Sequence, residues 1–235
     1  MGSNSLRIAE IFASLQGEGK WLGTPSTFVR VSGCNLRCKW CDTPYASWEP
    51  EGEMMTAEEV VETVSSLAPN HVVLTGGEPM IFDQIESMCI ILKRRGYTIT
   101  IETAGTVYRE VPCDLLSLSP KLSTSTPDGE QAEMHEKRRC QPDVLQKLLN
   151  HYPNHQLKFV VDPFSVSFEL ELKEIEVIFA LLPETARSNV FLMPQGVEAE
   201  ELAARERELA SVCLERGYRL APRQHIVWFG NTRGT

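Results

Sequence analysis

The sequence predicts an α/β fold, a partial, open (βα)6-like barrel carried on a single domain spanning residues 1–235. Three observations support this. Short apolar runs alternate with amphipathic runs along the chain, and such alternation implies parallel strands, because each crossover needs a helix's length to return. The units number about six, too few to close an eight-stranded barrel. The chemically rich segments all fall just after predicted strands, where barrels of this kind carry their functional loops.

The elements follow in order. Thr27 to Val31 reads as the first strand. Thr56-Ala57-Glu58-Glu59 is a capping box, with Thr56 as cap and Glu59 three residues on. It opens a helix to about Leu67, apolar at Val60, Val61, Val64 and Leu67. His71 to Leu74 is the second strand and runs into Gly76-Gly77. A helix from Gln84 to Arg95 is stopped by Gly96. Thr98 to Ile101 and Asp114 to Leu118 are the third and fourth strands. Residues 122–141 are polar, contain Pro127 and Gly129 and run into Pro142, so they read as one long loop. Val144 to Asn150 is helical, Gln156 to Val161 a strand, Phe168 to Leu182 a helix and Asn189 to Met193 the sixth strand. Glu198 to Arg216 is a helix closed by Gly217.

Composition narrows the function. The chain has 235 residues, 42% hydrophobic and 23% charged, which suffices for a sizeable core. The net charge of −9 argues against nucleic acid, whose binders show a basic face. Lys137-Arg138-Arg139 follows Glu133 and Glu136 and reads as a solvated surface turn. No stretch approaches the roughly 20 apolar residues of a membrane helix, and Met1-Gly2-Ser3-Asn4-Ser5 lacks the layout of a signal peptide. The expectation is a soluble, cytoplasmic protein that acts on a small molecule, with no membrane or nucleic-acid partner.

The cysteines carry the chemistry. Of seven, three lie within eight residues, as Cys34-x3-Cys38-x2-Cys41. Cys89, Cys113, Cys140 and Cys213 are scattered and read as buried or surface thiols. A disulfide framework would be more evenly laced, so the clustering points to metal. A [4Fe–4S] cluster normally takes four thiolates. Three in one loop leave an iron open for a substrate, by the logic of an open catalytic metal site. S-adenosylmethionine can fill that position through its amino and carboxylate groups, and an electron from the cluster would then release a 5′-deoxyadenosyl radical. Soft thiolates also suit zinc, so a zinc site completed by another residue such as His71, or three incidental thiols, stay open on spacing alone.

Resemblance decides between these. The Cys-x3-Cys-x2-Cys loop after a strand resembles the radical S-adenosylmethionine superfamily, and Thr75-Gly76-Gly77-Glu78-Pro79 resembles its Gly-Gly-Glu-Pro motif. Further segments resemble the 7-carboxy-7-deazaguanine synthase family. They are Ser14-Leu15-Gln16-Gly17-Glu18-Gly19, Arg30, Cys41-Asp42-Thr43, Glu102-Thr103-Ala104-Gly105-Thr106, Ser119-Pro120-Lys121, Met193-Pro194-Gln195-Gly196 and the stretch from His225 through Trp228-Phe229-Gly230 to Thr235. The resemblance runs from about residue 8 to the last residue. Ala104 departs from the small polar residue common in related sequences, and residues 122–143 are longer and more polar than a simple barrel needs.

The resemblance implies a barrel of the radical S-adenosylmethionine type and a lyase that turns 6-carboxy-5,6,7,8-tetrahydropterin into 7-carboxy-7-deazaguanine with loss of ammonia, on the way to queuosine and other 7-deazapurines. It implies a [4Fe–4S] cluster on Cys34, Cys38 and Cys41, and Mg²⁺ on Thr43. S-adenosylmethionine is expected against Trp40, Cys41, Asp42, Gly77, Glu78, Ser119, Pro120, Lys121, Met193, Pro194, Gln195 and Gly196. Leu15, Gln16, Gly17, Glu18, Arg30, Thr75, His225 and Thr235 are the expected pterin contacts. No side chain is given a covalent catalytic role, since the radical does the chemistry. A homodimer and a flavodoxin or ferredoxin-type electron donor are implied as partners. The rival reading is a radical enzyme that installs a glycyl radical on another protein; a third is an electron-carrying or zinc-binding module without turnover.

Overall fold

The computed structural model describes residues 5–182 and 189–235. Among these residues nine strands form one sheet: β1 (Ser5–Leu15), β2 (Pro25–Val31), β3 (Glu53–Thr56), β4 (His71–Gly76), β5 (Thr98–Thr103), β6 (Leu115–Leu118), β7 (His155–Val161), β8 (Val190–Pro194) and β9 (Arg219–Leu220). Their spatial order is β3-β1-β2-β4-β5-β6-β7-β8-β9. From β2 onward every neighbouring pair is parallel, and β1 is antiparallel to both β2 and β3. The sheet ends at two edges and does not close. Among the described residues seven helices accompany it: α1 (Ala57–Ser65), α2 (Gln84–Arg94), α3 (Ala132–Arg138), α4 (Pro142–His151), α5 (Phe168–Ala180), α6 (Ala199–Arg216) and α7 (Gln224–Phe229). None of the described helices is long and apolar enough to cross a membrane.

Local signals explain the ends. The Thr56 hydroxyl accepts the Glu59 N–H at 3.2 Å while the Glu59 carboxylate accepts the Thr56 N–H at 2.8 Å, a reciprocal cap of the kind that contributes about 1 kcal/mol. α6 stops at Gly217, in the left-handed region at φ 69°, where glycine carries no Cβ penalty.

The two faces of the sheet have separate tasks, because successive side chains in a strand point oppositely. On one face Val29, Val31, Val72, Leu74, Ile99, Ile101, Leu116, Leu118, Leu157, Phe159 and Leu192 join one apolar core. Helices α1, α2, α4, α5 and α6 supply Val60, Met88, Leu148, Ile175 and Leu209 to it. The intervening residues turn the other way. Phe28 and Arg30 of β2, Thr75 of β4, Glu102 of β5, Lys158 and Val160 of β7 and Met193 of β8 line a cavity. The strands therefore deliver polar groups to the inside of the partial barrel while holding the helices on its outside.

Four expectations need correction. Thr27–Val31 belongs to the second strand, because β1 precedes it. The β1–β2 register shifts between Ile8 and Glu10, which breaks the simple alternation that marks a strand in sequence. Helix–strand alternation also lapses between β5 and β6, where residues 104–114 contain no helix. Residues 122–141 are not one loop. They hold a 3-10 turn at Ser123–Ser125 and helix α3, fixed by side-chain bonds: Thr124 Oγ1 donates to Glu171 at 2.7 Å and Thr126 Oγ1 to Glu136 at 2.7 Å. Lys137 and Arg138 are accordingly the exposed last residues of α3, and Arg139 is its C-cap and not part of a solvated turn. Lys137 is exposed, but Arg139 is largely buried between Glu136 and Glu174.

Candidate active site

A cavity of about 430 Å³ opens at the C-terminal ends of the parallel strands. The loop from Gly33 to Thr43 leaves β2 directly, and Cys34, Cys38 and Cys41 all face this cavity as free thiols. Backbone bonds hold the loop against the end of β4: Gly33 N–H donates to Ala46 O at 2.8 Å and Glu78 N–H to Gly33 O at 2.9 Å. Gly77 makes that approach possible. A Cβ there would lie 2.0 Å from Gly33 O and 2.5 Å from Ala46 O. Cys41 Sγ is 3.2 Å from Ser47 Oγ and 3.8 Å from Thr43 Oγ1.

The donor set fits an iron–sulfur cluster. Burial pushes the Cys34 thiol up to about 12, and burial, partly offset by Lys121, pushes Cys38 up to about 11; such thiols ionise when a metal takes the place of the proton. Among the described residues no three His, Cys, Asp or Glu side chains converge closely enough for a single metal ion. A cluster seats each cysteine on its own iron and needs no such convergence. Three thiols on one loop, all facing the cavity, supply one cysteine to each of three irons and leave the fourth open.

Opposite the thiols stands a charged group. Glu18 accepts from Lys158 of β7, and Arg223 lies 3.5 Å from its other oxygen. Burial alone would raise the Glu18 carboxyl, but Lys158 and Arg223 outweigh it and hold it far below the ordinary range. Arg223 also donates to Asp42 Oδ2 and to Gly196 O, each at 2.5 Å. Burial opposes charge on Asp42 too, and Arg223 reverses it, keeping the carboxyl low. Gly17 in the same turn lets α7 dock: Gln224 N–H donates to Gly17 O at 3.0 Å, and a Cβ at Gly17 would sit 2.6 Å from His225 N.

The remaining wall is equally ordered. Arg30 Nε donates to Glu10 Oε1 at 2.6 Å, and Tyr45 donates to the same oxygen at 2.8 Å. Thr75 Oγ1 donates to Glu102 at 2.8 Å and Gln16 Nε2 to its other oxygen at 3.4 Å. Phe12 and Phe28, 5.2 Å apart and nearly parallel, form an apolar wall. Lys121 Nζ reaches Ser119 Oγ at 2.9 Å and stands 6.0 Å from the centre of the Trp40 ring.

Known proteins resemble the chain throughout. The radical SAM superfamily matches residues 28–150. The 7-carboxy-7-deazaguanine synthase of Rhodopirellula baltica is 48% identical, covering 99% of this chain and 90% of that protein. The chain belongs to the 7-carboxy-7-deazaguanine synthase family. The Halobacterium salinarum member is 43% identical over 98% of this chain and 93% of its own length. The crystal structure of QueE from Escherichia coli shares the fold, with a TM-score of 0.67, 23% identity and 94% coverage of each chain. The mostly parallel partial barrel is thus the radical SAM fold.

Within this family's cavity the structure gathers most of the residues named from sequence. Leu15, Gln16, Gly17, Glu18, Arg30, Thr75, His225 and Thr235 line it, as do Trp40, Asp42, Thr43, Gly77, Ser119, Lys121 and Met193. Glu78, Pro120, Pro194, Gln195 and Gly196 do not. Glu78 is fully buried and accepts from Met80 N at 3.0 Å, Thr103 Oγ1 at 2.7 Å and Ala104 N at 2.8 Å. It ties the end of β4 to the end of β5, and burial pushes its carboxyl up. Sequence reasoning missed Glu10, Phe12, Phe28, Tyr45, Lys158 and Arg223 as site residues, and it quoted Glu102 and Arg233 only as parts of motifs. Lys158 carried a signal: a lone cation inside the buried run from His155 to Val161 needs a partner. Arg223 carried none.

Proposed function

We propose that this chain converts 6-carboxy-5,6,7,8-tetrahydropterin into 7-carboxy-7-deazaguanine with release of ammonia, in the biosynthesis of queuosine and related 7-deazapurines. The observation that carries it is that the three-cysteine loop and the Gln16–Glu18 turn open into one cavity in a chain matched from end to end by this family. Cys34, Cys38 and Cys41 would hold a [4Fe–4S] cluster. S-adenosylmethionine would lie against Trp40, Asp42, Gly77, Ser119, Lys121 and Met193, with Glu78 and residues 194–196 shaping the ends of that subsite. When bound, the cluster and S-adenosylmethionine supply hydrogen-abstracting radical chemistry. The Thr43 hydroxyl, 3.5 Å from Asp42 Oδ1, offers the hard oxygens Mg²⁺ prefers.

The chain's own groups bind and orient the pterin. Phe12 and Phe28 give its flat pyrimidinone ring an apolar wall. Glu18, kept ionised by Lys158 and Arg223, accepts from the amino-pyrimidinone edge. Arg30 is held by Glu10 and keeps its other N–H groups for the substrate carboxylate, a pairing that suits a guanidinium. Thr75, fixed by its bond to Glu102, retains lone pairs for a ring N–H. His225 and Thr235 cover the opening, and Arg233, bonded to Glu51 at 3.0 Å, pins that cover and limits water. We assign electron supply to a flavodoxin or ferredoxin and the working unit to a homodimer in the cytoplasm.

Anaerobic assay of cluster-reconstituted protein with the carboxypterin, S-adenosylmethionine, dithionite and Mg²⁺ tests the reading. The deazaguanine acid is the expected product. Its absence, with the cluster intact and S-adenosylmethionine cleaved, overturns the reading.

A further inference from the structure

We infer that His135 and Ser125 are positioning residues for the three-cysteine loop, holding its backbone so that Cys34 and Cys38 stand ready for the cluster. The inference rests on the cluster reading above and gives residues 122–143 a task.

His135 lies on α3 with no exposed surface, 98 residues along the chain from its partner. Its bonds define its state. The Arg37 N–H donates to Nδ1 at 3.0 Å, so Nδ1 carries no proton. Nε2 therefore carries it and donates to Ser125 Oγ at 2.9 Å. Ser125 in turn donates to the Leu122 carbonyl at 2.6 Å. Each donor in this relay has one acceptor, and the opposite tautomer would set N–H against N–H.

Two further bonds reach the same loop. The Ser125 carbonyl accepts the Lys39 N–H at 3.0 Å, and Arg138 donates to the Asn35 carbonyl at 3.3 Å. The contacts land on residues 35, 37 and 39, alternate positions between Cys34 and Cys41. The support is itself braced. Ser123 N–H donates to Glu174 at 2.9 Å, Thr124 Oγ1 to Glu171 at 2.7 Å, and Arg139 reaches the Lys121 carbonyl at 3.1 Å.

A cysteine loop has no ladder to occupy its N–H groups, and buried donors seek an acceptor. One already turns to sulfur: Leu36 N–H lies 3.4 Å from Cys34 Sγ. Hydrogen bonds to the sulfurs set a cluster's potential, and the groups behind metal ligands fix their orientation. By taking the Arg37 and Lys39 N–H groups, Ser125 and His135 decide how many donors the sulfurs receive and where the thiols point.

The test compares wild type, His135→Leu, His135→Asn and Ser125→Ala after anaerobic reconstitution. Iron and sulfide content, the EPR spectrum of the reduced cluster and the rate of cluster loss to a chelator are read. His135→Leu keeps the volume and removes the acceptor; we expect about 10-fold faster cluster loss and an altered EPR line shape. His135→Asn places Oδ1 where Nδ1 was and should stay near wild type. Ser125→Ala frees the imidazole proton and should fall between them; it carries the test if His135→Leu does not fold. His135→Leu matching wild type in loss rate and spectrum, or His135→Asn failing as badly as Leu, overturns the inference alone. A wild-type protein that assembles no cluster overturns the functional reading and this one with it.

Discussion

Arg223 and Asp42 form an ion pair 2.5 Å long across 181 residues of sequence, and the same guanidinium lies 3.5 Å from Glu18 and bonds Gly196 O. One planar group thus ties the proposed S-adenosylmethionine side of the cavity to the proposed pterin side. Lysine, a point charge with no fork, cannot hold all three. Losing a charge-assisted bond costs about 1.5–3 kcal/mol, so Arg223→Lys should lower kcat/KM about 10- to 100-fold. It should also raise the yield of 5′-deoxyadenosine per product, because the two halves lose their common anchor. Product and 5′-deoxyadenosine counted in one assay check this; an unchanged ratio removes the linking role.

Glu18 predicts an acid-side effect on stability. Burial would raise its pKa, but Lys158 and Arg223 hold it below the ordinary 4.5. A carboxyl lowered in the folded state stabilises fully above its unfolded pKa, and that contribution is lost as pH falls toward the folded value. Glu18→Gln should therefore melt lower than wild type near neutrality. The gap should narrow steadily below about pH 4.5. Asp42 and Glu136 are also held low and steepen the acid fall of both proteins, so the difference between the two melting curves is the quantity to measure. A gap that stays constant with pH would show that charge on Glu18 contributes nothing.

The faces of the strands explain what the sequence disclosed. Val29 and Val31 against Phe28 and Arg30, or Val72 and Leu74 against Thr75, gave clear strands, and the motifs after them marked the rim. The register shift at Ile8 and Glu10 hid β1. α3 has few apolar residues and is anchored by Arg139 and His135, a fixation by hydrogen bonds that hydrophobic periodicity does not report. Arg223 escaped because its three partners, near residues 18, 42 and 196, come together only through the fold. Glu78 shows the reverse: its motif was legible, but its side chain faces Thr103 and Ala104 and not the cavity.

Gly77 and Gly96 separate crowding from backbone strain. At Gly77 an added Cβ meets the carbonyl oxygens of Gly33 and Ala46 at 2.0 and 2.5 Å, and backbone cannot move aside as a side chain can. Gly77→Ala should cost about 3 kcal/mol or more and displace the cysteine loop. Gly96 has φ 84° and nothing within 4 Å of its Cβ position, so Gly96→Ala meets only the left-handed penalty of about 1–2 kcal/mol. Denaturant unfolding of both variants, with iron content after reconstitution, decides it. Equal destabilisation with normal iron in Gly77→Ala would contradict the close-approach argument.

Changing Thr43 tests the proposed Mg²⁺ site and separates the synthase reading from a glycyl-radical activase, for which no such metal hydroxyl is expected. Thr43 Oγ1 lies 3.8 Å from Cys41 Sγ and 3.5 Å from Asp42 Oδ1, so a soft and a hard site adjoin. In the proposed site Mg²⁺ would take the oxygens and iron the sulfur. Thr43→Ala should abolish stimulation by Mg²⁺ and lower kcat/KM about 10-fold, or ~1.4 kcal/mol. Thr43→Ser keeps the hydroxyl and should retain most of the activity. Iron and sulfide content should not change in either variant, because Cys41 keeps its bond to Ser47 at 3.2 Å. Titration of activity with Mg²⁺, alongside iron analysis, reads both sites at once. Full Mg²⁺ stimulation in Thr43→Ala would move the cation elsewhere in the cavity, and loss of iron would mean that the hydroxyl serves the cluster instead.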